Sequence, residues 1–216
     1  MARAVATRFP SLVLALALAA ALCPTGAALA AGGDEPLEVE ALLVSDAEAS
    51  GRFEGIEVRV SRSPDGIEVE GRCPIDASRS VAWSVLTDYD GIDRFVSSMR
   101  DSRVTDRRDD EILVEQTAVG RMFLFSRRLR ATLRVHEEPP NRIRFEDTLG
   151  RDFKSYRGEW RIEESRDGVQ IVYRLHALPA FSIPDFVARG VFRSTARQLL
   201  LEVRSEIERR AALAAR

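Results

Sequence analysis

Lysine is almost missing from this chain. Of 32 basic residues only Lys154 is a lysine, and the rest are arginine. We read the bias as a GC-rich coding preference rather than guanidinium recognition spread over a whole surface. Histidine and cysteine are also scarce, two of each: His136, His176, Cys23 and Cys73. A zinc site needs three or four convergent ligands, so no metal site is expected. Neither a Gly-x-Ser-x-Gly elbow nor a glycine-rich phosphate loop occurs, which removes the hydrolase and nucleotide-binding readings those motifs carry. Charge of one sign is not in excess, since the 32 bases face 34 acids. A strongly basic nucleic-acid binder is therefore not expected. A disordered chain combines low hydrophobicity with high net charge. This one is 45% hydrophobic over 216 residues, which suits an ordinary globular domain. Finally, no apolar run reaches the roughly 20 residues of a membrane span.

The unbroken apolar run 12–23 has the length of a secretory signal core, typically about 7–15 residues. Arg3 and Arg8 precede it, and Ala28-Leu29-Ala30 supplies small residues for cleavage after Ala30. We therefore expect residues 1–30 to be a signal peptide and the protein to cross the inner membrane of a bacterium into the periplasm. A buried N-terminal helix and a lipoprotein acylated at Cys23 are the alternatives. Leu22 stands where the second would want a small residue. After cleavage only Cys73 remains, so no internal disulfide is expected. Cys73 reads as a small buried filler near a strand end. Residues 31–54 read as a flexible acidic leader: six acids and no base lie in 31–50.

The folded domain is expected over 55–213. Ile56, Val58 and Val60 alternate with polar residues, Ser63-Pro64-Asp65-Gly66 is a turn, and Ile67, Val69 and Gly71 alternate again. That is a hairpin leading to Cys73. Ser78 is an N-cap for a helix carrying Val81, Ala82, Val85 and Leu86, and a short second helix follows near 92–96. Six strands then read at 99–107, 111–119, 122–136, 142–149, 154–164 and 168–177, with breaks at Gly120, Pro139-Pro140-Asn141, Gly150 and Asp167-Gly168. Alternation with one apolar face predicts an antiparallel sheet covered on one side. The cover is a long helix from Pro184 to about Arg210, whose stripe is Val187, Val191, Thr195, Leu199, Val203 and Ile207, widened by Phe192, Ala196 and Leu200.

Several segments in this order resemble one family. They are Pro74-Ile75-Asp76-Ala77-Ser78 with Val81, Trp83 and Leu86-Thr87-Asp88-Tyr89, then Gly91-Ile92-Asp93-Arg94-Phe95-Val96, then Arg157-Gly158-Glu159-Trp160-Arg161-Ile162. The chain resembles the START-like (SRPBCC) helix-grip superfamily, in its polyketide cyclase/dehydrase and coenzyme Q-binding START-type branch, over about residues 66–212. The resemblance implies an α+β fold, a curved antiparallel sheet wrapped around a long C-terminal helix with two short helices after the first strand region. It also implies a cavity for an apolar molecule, lipid- or quinone-like, with no cofactor. An export signal departs from a mitochondrial or cytoplasmic quinone role.

The cavity residues this implies are Phe123, Phe125, Leu133, Phe145, Phe153, Tyr156, Trp160, Tyr173, Phe181, Phe186, Val191, Phe192 and Leu199. The alternative for the aromatics is plain core filling, and the 178–183 connection could serve as a lid or portal. A non-enzymatic binding module is the first reading. A cofactor-free cyclase or dehydratase, with Asp147 and Tyr173 as its weak catalytic candidates, is the second, and Asp152 and Arg157 are further inward polar candidates. A ligand-free interaction domain is the third. Arg127, Arg128, Arg130, Arg134, Arg142 and Arg144 crowd two neighbouring strands. They read either as a face for anionic headgroups or, with Glu137, Glu138, Glu146 and Glu159 nearby, as a mixed solvated face. A membrane surface is thus the anionic partner left to test.

Overall fold

The computed structural model describes residues 55–216 apart from 109, 123–124 and 183, with backbone alone at 120–122, 125–127, 185 and 186. The expected signal peptide and the leader up to 54 lie outside the described residues. Elements follow in the order β1 (Glu57–Ser63), β2 (Gly66–Ile75), α1 (Arg79–Leu86), a 3-10 helix (Tyr89–Arg94), β3 (Met99–Arg107), β4 (Ile112–Met122), β5 (Phe125–Glu138), β6 (Arg142–Asp147), β7 (Phe153–Ser165), β8 (Gly168–Pro179) and α2 (Asp185–Ala214).

The eight strands form one antiparallel sheet in the order β1-β2-β8-β7-β6-β5-β4-β3. β3 to β8 is a meander of neighbours, and the first hairpin joins it at the far side through β2 against β8, with Ile67 opposite Ala177 and Ile75 opposite Val169. The alternation in the sequence fixes which face is covered. Val69, Val114, Leu133, Val135, Ile143, Ile162, Ile171, Tyr173 and Leu175 point inward and are buried. The expected α+β helix-grip architecture is present.

α2 lies on the inner face. Ala188, Ala196, Leu200, Val203 and Ile207 are its buried residues, with Phe192 and Leu199 half-buried beside them. This corrects the expected stripe in one place: Thr195 is exposed, and Ala196 takes its position on the buried side. Close approach to β2 depends on Gly71, where a Cβ would sit 2.5 Å from Leu200 Cδ1. Gly158 plays the same part inside the sheet, since its missing Cβ leaves the space that Phe145 Cζ fills at 2.6 Å.

Two boundaries differ from expectation. Gly120 does not break a strand; β4 runs on to Met122 and pairs Gly120 with Arg127, so the turn falls between Met122 and Phe125. The second short helix is a 3-10 turn that starts earlier, at Tyr89, and Gly91 is part of it. A Cβ at Gly91 would lie 2.6 Å from the Asp88 carboxylate oxygens, so the missing side chain is what lets Asp88 fold over the turn. Ser78 caps α1 as expected, its Oγ accepting from the Val81 N–H at 3.4 Å.

Ion pairs bind α2 to the corner between α1 and the 3-10 helix. Arg210 donates to Asp88 at 2.6 Å and to Glu206 at 2.7 Å, and its guanidinium lies 5.9 Å from the Phe95 ring centre. Two bonds from Arg209 also reach Glu206. The Arg209 hydrogen bonds, with those of Arg210, hold the Glu206 carboxyl down at about 2.

Candidate functional site: the cavity under the long helix

Between the inner face of the sheet and α2 lies a cavity of about 100 Å³. The strands contribute Met99, Val114, Gln116, Leu133, Val135, Ile143, Phe145, Tyr156, Trp160 and Tyr173, and the helical side contributes Leu86, Tyr89, Ile92 and Leu199. Its walls are therefore of two kinds. The strand wall is pinned by continuous ladders. The helical wall is held mainly by side-chain packing and the Arg210 pairs.

The polar groups of the cavity wall are few. Trp160 and Tyr173, opposite one another on β7 and β8, stack with ring centres 4.4 Å apart. The Tyr173 hydroxyl donates toward the Tyr156 oxygen. Burial raises both phenols, Tyr173 well above the usual value, so both stay protonated. Among the described residues nothing accepts the Tyr156 proton. Tyr89 donates to Glu137 Oε1 at 2.9 Å, and burial together with that carboxylate pushes its phenol up as well. Gln116 donates to Ser102 Oγ at 3.2 Å, and Ser102 donates on to the Tyr89 carbonyl at 2.6 Å.

Of the residues expected from the sequence, the structure brings Leu133, Phe145, Tyr156, Trp160, Tyr173 and Leu199 to the cavity wall. It does not bring Phe153, Phe181, Val191 or Phe192 there. Phe153 is buried behind Tyr156, with ring centres 4.7 Å apart; a register shift between Phe153 and Ser155 brings it to the same side of β7 as Tyr156. Phe192 packs into the core from α2, while Phe181 and Val191 are half-exposed. Phe123 lies outside the described residues, as do the side chains of Phe125 and Phe186. The lining residues the sequence reading did not name are Leu86, Tyr89, Ile92, Met99, Val114, Gln116, Val135 and Ile143. Inward parity could have found Val114, Gln116, Val135 and Ile143.

Asp147 is not aimed into the cavity. Its carboxylate accepts from the backbone N–H of Thr132 at 2.9 Å, Leu149 at 3.3 Å and Gly150 at 3.1 Å, which pins the β6–β7 turn to β5. Asp152, also a candidate, is buried and accepts from the Arg130 N–H at 2.9 Å. Arg157 and both histidines lie on the outer face. Among the described residues no three His, Cys, Asp or Glu side chains converge as metal ligands would.

The outer face carries a larger depression, an open saddle of about 820 Å³. It is walled by alternating charge: Glu70 and Glu159 flank Arg174 at 3.3 Å each, Arg134 meets Glu146 at 2.9 Å, and Arg144 meets Glu138 at 2.6 Å. A ligand there would have to displace partners already in place, in water. Volume alone would select this saddle; the smaller, more apolar space under α2 is the better ligand site.

A family model described as polyketide cyclase/dehydrase and lipid transport matches residues 75–204. The chain belongs to this family. Within it, and in the wider START/SRPBCC superfamily, the fold is shared with solved structures of low sequence identity. The STAR-related lipid transfer protein from Xanthomonas axonopodis superposes with a TM-score of 0.59 at 20% identity, over 71% of this chain and 94% of that one. An aromatase/cyclase from a Streptomyces species gives 0.54 at 15% identity, over 69% and 95%. Human STARD10 gives 0.55 at 12% identity, over 76% and 78%. Against curated protein sequences there is no significant match.

Proposed function

We propose that this family member is an exported, non-enzymatic carrier. It holds one hydrophobic molecule, lipid- or quinone-like, between the sheet and α2, in the periplasm. The observation that carries the reading is the cavity wall, apolar and aromatic side chains with the Tyr156 hydroxyl among them. An apolar ligand bearing one carbonyl or hydroxyl oxygen could accept the Tyr156 proton, which would fix the ligand's orientation. The fold shared with the lipid transfer protein from Xanthomonas supports the carrier reading.

The volume sets a condition. At about 100 Å³ the cavity has room for about three waters at ~30 Å³ each, whereas ligand pockets run to about 300–1,000 Å³. Loading therefore displaces the helical wall, Leu199 on α2 and Leu86 and Ile92 at the corner, because moving the strand wall would break ladders.

The test is native mass spectrometry and organic extraction of the protein purified from its producing cell, followed by binding to a fatty-acid and quinone panel. Tyr156→Phe removes one hydrogen bond to the ligand worth about 0.5–1.5 kcal/mol and should weaken binding about 2- to 13-fold; it also takes the acceptor from the Tyr173 hydroxyl, so a fall in stability of about 1–3 kcal/mol is expected beside it. Leu199→Trp should fill the space and abolish binding. A protein with no bound lipid and no affinity for the panel would sink the proposal. The second reading, a cofactor-free cyclase or dehydratase, draws on the shared fold of the Streptomyces enzyme. It requires the ligand to leave chemically changed, which the same mass spectrum reads.

A further inference from the structure

The two ends of the sheet differ in charge. At one end lie the β1–β2 turn, the end of β4 and the start of β5, the β6–β7 turn and the start of α2. Register places them together: Met122 pairs with Phe125, Phe153 with Pro179, and Ile67 with Ala177, while the Ala180 N–H donates to the Asp152 carbonyl. Residues 63–66, 121–130, 148–154 and 180–193 carry eight bases and three acids. At the other end, residues 107–111, 137–141 and 163–168 carry three bases and eight acids. Asp76 and Arg79, in the β2–α1 link at that second end, cancel.

On the outer face Arg134, Arg142, Arg144 and Arg174 are held in pairs, while Arg157 there and Arg107 and Arg166 at the acidic end make no ion pair among the described residues. At the basic end Arg128, Arg151, Lys154, Arg189 and Arg193 are exposed, and none makes an ion pair among the described residues. The acid within the β6–β7 turn, Asp152, is buried and turned to the Arg130 backbone. Beside Arg151, at the tip of the turn that Asp147 pins, Leu149 is 51% exposed. Unpaired cations around a protruding leucine on a rigid turn fit a surface that is anionic outside and apolar just beneath.

We propose that this end docks on an anionic lipid bilayer, with Leu149 entering the interface and Arg128, Arg151, Lys154, Arg189 and Arg193 meeting headgroup phosphates. The acidic end points away, so the molecule's own field orients its approach. Arg134, Arg142 and Arg144, grouped with Arg128 and Arg130 in the sequence, take no part; they are held by Glu138, Glu146 and Glu159 on the outer face. The proposal is independent of what the cavity holds.

The experiment is vesicle co-sedimentation of the protein as purified from its producing cell. Vesicles of 30% phosphatidylglycerol in phosphatidylcholine are compared with pure phosphatidylcholine, and any contribution of the N-terminal segment is common to all variants. The expected result is binding to the anionic vesicles that is lost in 0.5 M salt. Each base near the surface contributes about 1 kcal/mol. Replacing Arg151 and Lys154 together by alanine should therefore lower the anionic partition coefficient about 25-fold. The control pair Arg108→Ala and Arg166→Ala at the other end should leave it unchanged. Equal binding to both vesicle types, no binding to either, or an equal loss in the control pair would overturn the proposal. So would tighter binding to an acidic peptide than to vesicles. Circular dichroism of each variant separates lost docking from lost fold.

Discussion

The contact between Gly71 and Leu200 tests the whole grip. A methyl group at position 71 would lie 2.5 Å from Leu200 Cδ1, and Leu200 is 1% exposed, so the leucine has no free volume to retreat into. Gly71→Ala by itself gains about 0.5–1 kcal/mol from reduced chain freedom in the strand and loses about 1–3 kcal/mol to overpacking. The net is a loss of about 1 kcal/mol. Leu200→Ala leaves a hole in the same place and should cost about 2.7–5 kcal/mol. In the double variant the new methyl enters part of that hole. Its overpacking term vanishes, and the pair should be less damaging than the sum of the singles by about 1–2 kcal/mol. Urea denaturation of the four proteins measures this. Additivity within about 0.5 kcal/mol would mean that α2 does not press on β2 at Gly71, and the description of the inner face would fail with it.

Other outcomes follow from single groups. Glu206 has its folded value lowered to about 2 from 4.5 unfolded, so its contribution is complete above about pH 4.5 and fades as pH falls toward 2. With its carboxylate 10% exposed but its Arg209 partner 57% exposed, we discount this to about 1–2 kcal/mol. Glu206→Gln should lower stability by that amount at pH 7 and by almost nothing at pH 2, and an equal gap at both pH values would contradict the assignment. Burial pushes the Cys73 thiol up to about 11 with no exposed surface, so peptide mapping should find Cys73 unmodified by a thiol reagent at pH 8 until the protein unfolds. Ser78→Ala removes the α1 cap and should cost about 0.5–1 kcal/mol in urea melts, with no change in vesicle binding.

The strands were legible because each has one covered face. Period-two alternation in β2, β7 and β8 assigns Tyr156, Trp160 and Tyr173 to the inside without any knowledge of the partner strands. What alternation does not contain is depth along the strand. Strict alternation would put Phe153 and Tyr156 on opposite faces; a shift in pairing near the strand start turns both inward, and only the second reaches the open space. Gly120 was misread for a related reason: a glycine in a strand is a turn signal only if the partner register agrees, and Arg127 opposite it continues the ladder. The part of the wall made by Leu86, Ile92 and Met99 was illegible, since those residues meet the strands only after the chain has crossed the sheet. The same limit hid the basic end. Its arginines come from three separate stretches of sequence, and their lack of partners is a property of space.

The pairing of β2 with β8 has a consequence for when this protein can exist at all. Every other neighbouring pair of strands is adjacent in the chain and closes through a short turn. This one joins Ile67 to Ala177, so the sheet stays in two pieces until nearly all of the chain is available. Closing so long a loop is slow compared with forming local hairpins. A chain still emerging from a ribosome therefore has β2 without a partner on one side, and α2 has not yet been made to cover either piece.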